Sequence, residues 1–438
     1  MKKILASAGL VALGVSSVQS APAVNSGTAD KPWDVSLAVR GFYDDNNATA
    51  SGGVGKKGSY GTEIRPSIGI SKHGEQTMFG ARYTYSMRYY EARKNNQIDH
   101  GHDFNAWLTH AFSERYSVDF ADTFTISQEP TVTDPSLGTP IRANGNNIHN
   151  NANLNFHAQL TRSLELVLGY KNDFYDYEKT GGAISYYPFT TIPSSVASSY
   201  SGTLDRIEHT AIADLHWRFL PETVAVFGYQ FGWNDYTGKE AIGLAGPVLS
   251  PLVIMSKDRN STSHFVYGGV DHAFTRNLTS SVRVGAQFSD YYNAHQTGVS
   301  PWADASLRYT YRQNSYLELG VTHKRNATDA FSSSLSGTST SITTDQETTS
   351  AFGTWQHAIT QRLIARLTGQ YSSAKYNGGS LGDSGTTDNI YLLGASAEYH
   401  FTRHLSAEAG YNYTKVDSNI GGRGYARNQV FLGMNLTY

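Results

Sequence analysis

Residues 159–166 read QLTRSLEL, and the same short phrase returns as AFSERYSV (111–118), FLPETVAV (219–226), AFTRNLTS (273–280), AITQRLIA (358–365) and HFTRHLSA (400–407). Each copy has an apolar residue, then Thr, Ser or Pro, then a charged or polar pair, then a new alternating run. ISKHGEQT (70–77) and YTYRQNSY (309–316) fit the same slot more loosely. Read this way the chain has eight tight hairpin turns, centred near 74, 114, 162, 222, 276, 313, 361 and 403. Consecutive centres lie roughly 40–60 residues apart, room for two strands and one longer loop.

On either side of these turns the chain alternates apolar and polar residues over about ten positions, the period of a β-strand. Leu164, Leu166, Leu168 and Tyr170 interleave with Glu165, Val167, Gly169 and Lys171. Ile207, His209, Ala211, Ala213, Leu215, Trp217 and Phe219 oppose a set that includes Arg206, Glu208, Asp214, His216 and Arg218. Full charges recur on the polar face of strand after strand, opposite an aromatic and aliphatic face. No amphipathic helical pattern of useful length follows residue 23.

The connections at the other ends of the strands are different. Stretches 44–59, 128–149, 178–205, 237–262, 327–347 and 377–388 are long and rich in Gly, Ser, Thr, Asn and Pro, while 92–101 and 293–300 are shorter. Short turns at one end and long polar loops at the other are the pattern of an all-β, transmembrane, antiparallel up-and-down β-barrel, with periplasmic turns and extracellular loops. Eight hairpins supply sixteen strands. An added strand at each end, near Trp33–Phe42 and Asn428–Tyr438, makes eighteen, with sixteen as the alternative. Closure leaves no strand edge to aggregate. The barrel is thus expected to occupy 33–438 as one domain.

The last segment, NQVFLGMNLTY (428–438), alternates Val430, Leu432, Met434, Leu436 and Tyr438 to an aromatic end. In this it resembles exported bacterial barrels, and the layout over 33–438 is similar to the β-barrel porin type 2 family. The resemblance implies an integral outer-membrane protein in contact with membrane lipid. It also implies recognition by the barrel-assembly machinery through Tyr438, and a homotrimer as the default state.

At the other end, Lys2 and Lys3 precede an apolar run from Ile4 to Val18 and then small residues. This is the pattern of a secretory signal peptide over 1–23, with cleavage after residue 20 or 23 and a short segment 24–32 before the barrel. The composition agrees with an exported barrel. The 438 residues contain no cysteine, 29 tyrosines, 42 glycines, and 35 basic against 37 acidic residues, a net charge of −2. Mean hydropathy of −0.41 excludes a bundle of membrane-spanning helices. The near-neutral charge excludes a nucleic-acid footprint.

An eighteen-stranded interior is too wide for side chains to fill. A plug would need a separate segment before the first strand, and only Pro22 to Pro32 stand there. The expected function is therefore passive diffusion of small hydrophilic solutes or ions through a water-filled lumen, with no cofactor. Candidate pore-lining residues are Arg40, Glu63, Arg65, Arg82, Arg88, Asp119, Glu208 and Asp214. Arg40, Arg65 and Arg82 fall at similar depth on neighbouring strands and would form an arginine ladder; the competing reading is that they pair with Asp34, Glu63 and other lumen acids. Loops 178–205 and 237–262 are the candidates for narrowing the pore. Asp99, His100, His102 and Asp103, read as part of a loop, are the nearest approach to a metal motif, but they lack a distant third ligand. No catalytic constellation recurs, so an enzyme is not expected. The rival functions are a structural or secretion-linked barrel and, more distantly, an outer-membrane hydrolase.

Overall fold

The computed structural model describes residues 31–53, 55–128, 146–178, 183–197, 199–336 and 339–438. The expected export signal and its cleavage points lie outside them. The wall opens with β1 (Trp33–Asp44), β2 (Ser59–His73), β3 (Thr77–Tyr90), β4 (Ile98–Ala111), β5 (Tyr116–Ser127) and β6 (Asn147–Gln159). It continues through β7 (Leu164–Tyr177), β8 (Arg206–Leu220), β9 (Thr223–Tyr236), β10 (Ser261–Ala273), β11 (Leu278–Tyr291) and β12 (Gln296–Arg312). The last third comprises β13 (Ser315–Asn326), β14 (Asp345–Ala358), β15 (Leu363–Asn377), β16 (Thr387–His400), β17 (Leu405–Ser418) and β18 (Tyr425–Thr437). Each strand pairs antiparallel with its chain neighbours, and β1 also pairs with β18, so the eighteen-stranded sheet closes.

All eight short turns fall within the repeated phrases. In five of them the chemistry is the same. The hydroxyl oxygen of Ser113, Thr161, Thr275, Thr360 or Thr402 accepts the backbone N–H groups two and three residues ahead, at 2.9–3.3 Å. One side chain thus satisfies two donors that a four-residue reversal would otherwise leave to water, and this is why the phrase repeats. At the long-loop end three expectations are corrected. The strands run further than the loop composition suggests: β4 already begins at Ile98 and β12 at Gln296. A ninth connection, 419–424 between β17 and β18, adds to the eight read from the sequence.

The two faces of the wall separate as the alternation requires. On β1, Trp33, Val35, Leu37, Val39 and Tyr43 are exposed, while Arg40 and Asp44 on the other face are buried. On β18 the exposed set is Val430, Leu432, Met434 and Leu436, with Leu432 67 % exposed. A continuous exposed apolar band around a closed barrel belongs in hydrocarbon, where the strands satisfy every backbone group among themselves. Leu432 lies near mid-height. Replacing it with Lys should therefore destabilise the membrane-inserted barrel by about 2–4 kcal/mol, whereas Asn435→Lys on the inner face should leave the urea midpoint nearly unchanged.

Aromatic side chains mark both borders of this band. Toward the long loops, tyrosine hydroxyls reach diagonally to a polar partner on the next strand. The pairs are Tyr83–His102 (2.8 Å), Tyr170–His209 (2.7 Å), Tyr229–His264 (2.7 Å), Tyr371–Asn389 (2.9 Å) and Tyr411–Asn428 (2.6 Å). Each ring stays in the apolar layer while its hydroxyl finds a partner at the interface. The same geometry removes the suggested metal site. Asp99, His100, His102 and Asp103 belong to β4, not to a loop, so they alternate between faces. His100 and His102 face outward against Tyr85 and Tyr83, while Asp99 pairs with Arg93 and Asp103 accepts from Thr125 on the inner face.

The seam where the first strand meets the last is held by more than backbone bonds. Val35 and Tyr438 exchange both of their backbone hydrogen bonds, at 3.1 and 2.8 Å. Near the long-loop end Arg427 of β18 grips the buried Asp44 carboxylate of β1, with Nη2 2.5 Å from Oδ2. Lower down, Arg40 of β1 crosses β18 to the Glu408 carboxylate of β17 and lies 3.6 Å from Glu63 of β2. It can cross because residue 433 is glycine: a Cβ there would stand 2.6 Å from the Arg40 side chain. Four consecutive strands are thereby joined through one guanidinium.

Candidate functional site: the lumen and its mouth

Arg40, Glu63, Arg65, Arg82, Arg88, Asp119, Glu208 and Asp214 all lie on the face opposite the exposed apolar set. They do not form one ladder. In the strand register Arg40 faces Glu63 and Glu63 faces Arg88, whereas Arg82 faces Gly69, in a different row. Glu63 lies 3.6 Å from Arg40 and 3.2 Å from Arg88, and Arg82 holds Asp34 bidentately at 2.7 and 2.8 Å. Proximity to a lumen acid, rather than depth in the barrel, decides where each guanidinium goes. Arg40, sandwiched at the seam, is a structural tie. Arg65 differs from the others, since it makes no hydrogen bond or ion pair among the described residues.

The remaining candidates are dispersed. Glu208 receives Arg206 Nε at 2.6 Å, and Asp214 accepts the Tyr267 hydroxyl at 2.5 Å. Asp119 accepts from Thr109 at 2.6 Å and lies 3.1 Å from His157 Nε2. His157 was missed from the sequence, yet it carries a row of ionisable groups across four strands. Its Nδ1 is 3.0 Å from Glu165, which lies 3.9 Å from His216. The signal was available: residues equidistant from the centre of a tight turn face each other, so the turn centred on residue 162 sets Gln159 opposite Glu165 and brings His157 diagonally beside it. Arg283–Asp271 (2.7 Å) and Arg308–Glu318 (3.1 Å) extend the charged wall through β10–β13.

At the long-loop end loop residues pack against inward-facing side chains of the wall. Loop 178–205 carries a short hairpin (Ile184–Tyr186 with Pro193–Val196) and the helix α1 (Tyr200–Leu204), whose start is capped by Ser199. Leu204 and Tyr200 pack on Tyr175 and Tyr177, which face inward at the top of β7. Loop 237–260 carries a second hairpin, Ala241–Ala245 with Leu252–Met255. It meets the first loop through Glu240, which accepts hydrogen bonds from Ser199 and from Ser201, the latter at 3.0 Å. Both loops singled out in the sequence therefore turn onto the inner wall.

A third loop, 327–344, joins them and was not foreseen, because its Ser/Thr-rich sequence reads as a solvated surface loop. Ile342 from this loop clusters with Ile242, Ala245 and Ile254 of the second, and Phe331 packs against them. Arg259, fully buried, locks the three together by donating to the carbonyl oxygens of Thr203 (3.3 Å), Thr328 (2.8 Å) and Ala330 (2.7 Å). Asp329 then reaches Arg423, in the short ninth connection, at 2.9 Å. Tyr236, Tyr291 and Tyr376, on the inner face at the tops of their strands, are buried beneath this assembly.

One carboxyl in the cap titrates near neutrality. Burial, with Asp176 and Glu240 nearby, pushes Asp205 up to about 7, against the backbone N–H of Tyr177 that donates to it at 2.7 Å. Because its folded pKa lies above the ordinary carboxylate value, this group favours the closed loop fully at acid pH. That contribution falls away as pH rises through about 7. Protection factors of the amides over 199–205, taken after correction for intrinsic base-catalysed exchange, should accordingly be lower at pH 8 than at pH 6, and Asp205→Asn should flatten the difference. Equal protection at the two pH values would contradict this.

Comparison with known proteins follows the geometry. Residues 346–438, from β14 to β18, match the family described as "Putative beta-barrel porin 2". No curated protein matches the chain. Among solved structures, Pseudomonas aeruginosa OccK5 (OpdH) aligns at 11 % identity over 93 % of this chain and 98 % of that one, with a TM-score of 0.42. A BenF-like porin from Pseudomonas fluorescens Pf-5 aligns at 9 % identity over 93 % and 99 %, with a TM-score of 0.44. The ferric enterobactin receptor PfeA of Pseudomonas aeruginosa aligns at 9 % identity over 93 % and 80 %, with a TM-score of 0.43.

Proposed function

We propose that this protein is a porin of the bacterial outer membrane that lets small hydrophilic solutes or ions diffuse passively through its lumen. The observation that carries this reading is the wall: eighteen strands closed on themselves, apolar outside and lined inside with charged and amide groups. A barrel of this size encloses an aqueous channel. The match of the C-terminal residues 346–438 to a porin family supports the same reading. Transport needs no cofactor and no catalytic group. The three inturned loops would set the size limit, as a constriction does. Below them the wall carries guanidinium groups on β2–β3 and the Asp119–His157–Glu165 row on β5–β7, so a solute in transit meets opposite charge on different arcs. Arg65, which makes no hydrogen bond or ion pair among the described residues, is the residue best placed to bind a passing anion.

Liposome swelling tests this reading. Vesicles holding the refolded protein should swell in uncharged sugars at rates that fall steeply with sugar size. Swelling no faster than in empty vesicles, with folded protein present, would overturn it.

A further inference from the structure

Six of the eight short turns carry an arginine in the turn or at its edge: Arg115, Arg162, Arg276, Arg312, Arg362 and Arg403. All six are exposed, and none makes a side-chain hydrogen bond or ion pair among the described residues. The acids in the eight turns themselves are Glu75, Glu114 and Glu222. The turns therefore carry an excess of basic residues in a chain whose net charge is −2.

The height of these charges is set by their neighbours. Phe112, Leu160, Phe274, Ile359 and Phe401 open five of the turns, continue the outward face of the preceding strand, and are exposed. Within two or three residues of each comes Arg115, Arg162, Arg276, Arg362 or Arg403. The apolar membrane face thus ends at one residue and an exposed arginine follows two or three residues later, in the turn that borders the lipid headgroups. A guanidinium offers paired N–H donors that match the oxygens of a phosphate.

We propose that the short-turn rim is a basic collar that binds the phosphate groups of anionic phospholipids in the adjoining leaflet. The collar encircles the barrel, so it would hold a shell of such lipids and fix the barrel's depth and tilt. Soluble anions are the less suitable occupant, because five of the six arginines follow an exposed apolar residue of the outward face within two or three positions. The proposal rests on the wall lying in a membrane, not on what crosses the lumen.

The test is lipid selectivity of the refolded protein, measured with spin-labelled phosphatidylglycerol against spin-labelled phosphatidylcholine in phosphatidylcholine vesicles. Near the surface each cation contributes about 1 kcal/mol toward an anionic lipid, so a preference of about three- to tenfold is expected at low salt. It should fall toward unity in 0.5 M NaCl, where the screening length is only a few ångströms. Replacing Arg115, Arg162, Arg276, Arg362 and Arg403 with Gln should abolish the preference. A preference absent from the wild type, or unchanged in the variant, would overturn the proposal. So would a variant whose ion selectivity in neutral-lipid bilayers changes while its lipid preference stays. If the fivefold variant does not refold, the wild type's salt dependence decides, with the pair Arg276→Gln and Arg403→Gln as the milder variant. Solute flux is a separate readout, so a barrel that binds lipid without conducting would sink the porin reading alone.

Discussion

Arg427→Ala should lower the stability of the folded barrel by about 3–5 kcal/mol, seen as a large drop in the urea midpoint of the compact band on unheated gels. The Asp44 carboxylate that Arg427 holds is fully buried, 0 % exposed, so removing the cation strands a charge in a site closed to water. Among the described residues the donors left to it are Asn46 N–H at 3.0 Å and Gln429 Nε2 at 3.2 Å, both neutral. The position adds to the effect, since the pair spans the seam, where β1 and β18 come from opposite ends of the chain. Neutralising both partners, with Asp44→Asn and Arg427→Gln, should recover much of the loss because no lone charge remains. Lys415→Ala, which breaks an exposed pair with Asp417 at 3.3 Å, should shift stability by less than about 1 kcal/mol. Equal effects of the buried and exposed changes would contradict this account of the seam.

Arg259→Ala should leave the strands intact and open the mouth. Its three carbonyl contacts bind loops 178–205, 237–260 and 327–344 to one another, and each hydrogen bond from a charged donor is worth about 1.5–3 kcal/mol. Loops lie at the low end of local stability, so losing these bonds should show there first. Amide exchange over 200–205 and 328–331 should therefore accelerate by about 100-fold, the equivalent of about 3 kcal/mol. Larger sugars should then pass in the swelling assay, with β-sheet content unchanged. Unaltered sugar exclusion alongside accelerated exchange would show that the loops do not set the size limit.

Much of this architecture is legible in local sequence because period-two alternation and turn chemistry are local properties. The phrase around residues 159–166 locates a turn, and the turn then dictates which residues face each other across it. The inner-face assignment of Arg40, Glu63 and Arg65 follows from parity alone. What parity does not contain is the partner. Arg40 meets Glu408 only because the chain closes on itself and because Gly433 leaves room to cross, and both facts depend on residues nearly 400 positions away. The loop cap is hidden for the same reason. Nothing within 327–344 announces that Thr328 and Ala330 will turn their carbonyl oxygens to Arg259. The misplaced metal motif has the opposite cause: Asp99–Asp103 looks like a polar loop, but alternating polar residues on a barrel strand divide between headgroup and lumen.

The central claim is an open, water-filled lumen, and single-channel recording of the refolded mature protein in planar bilayers under a salt gradient tests it most directly. Steady open steps are expected, with a reversal potential that shifts when Arg65 is replaced by Gln and stays in place for the surface change Lys415→Ala. A demonstrably folded barrel that carries no current would contradict the account.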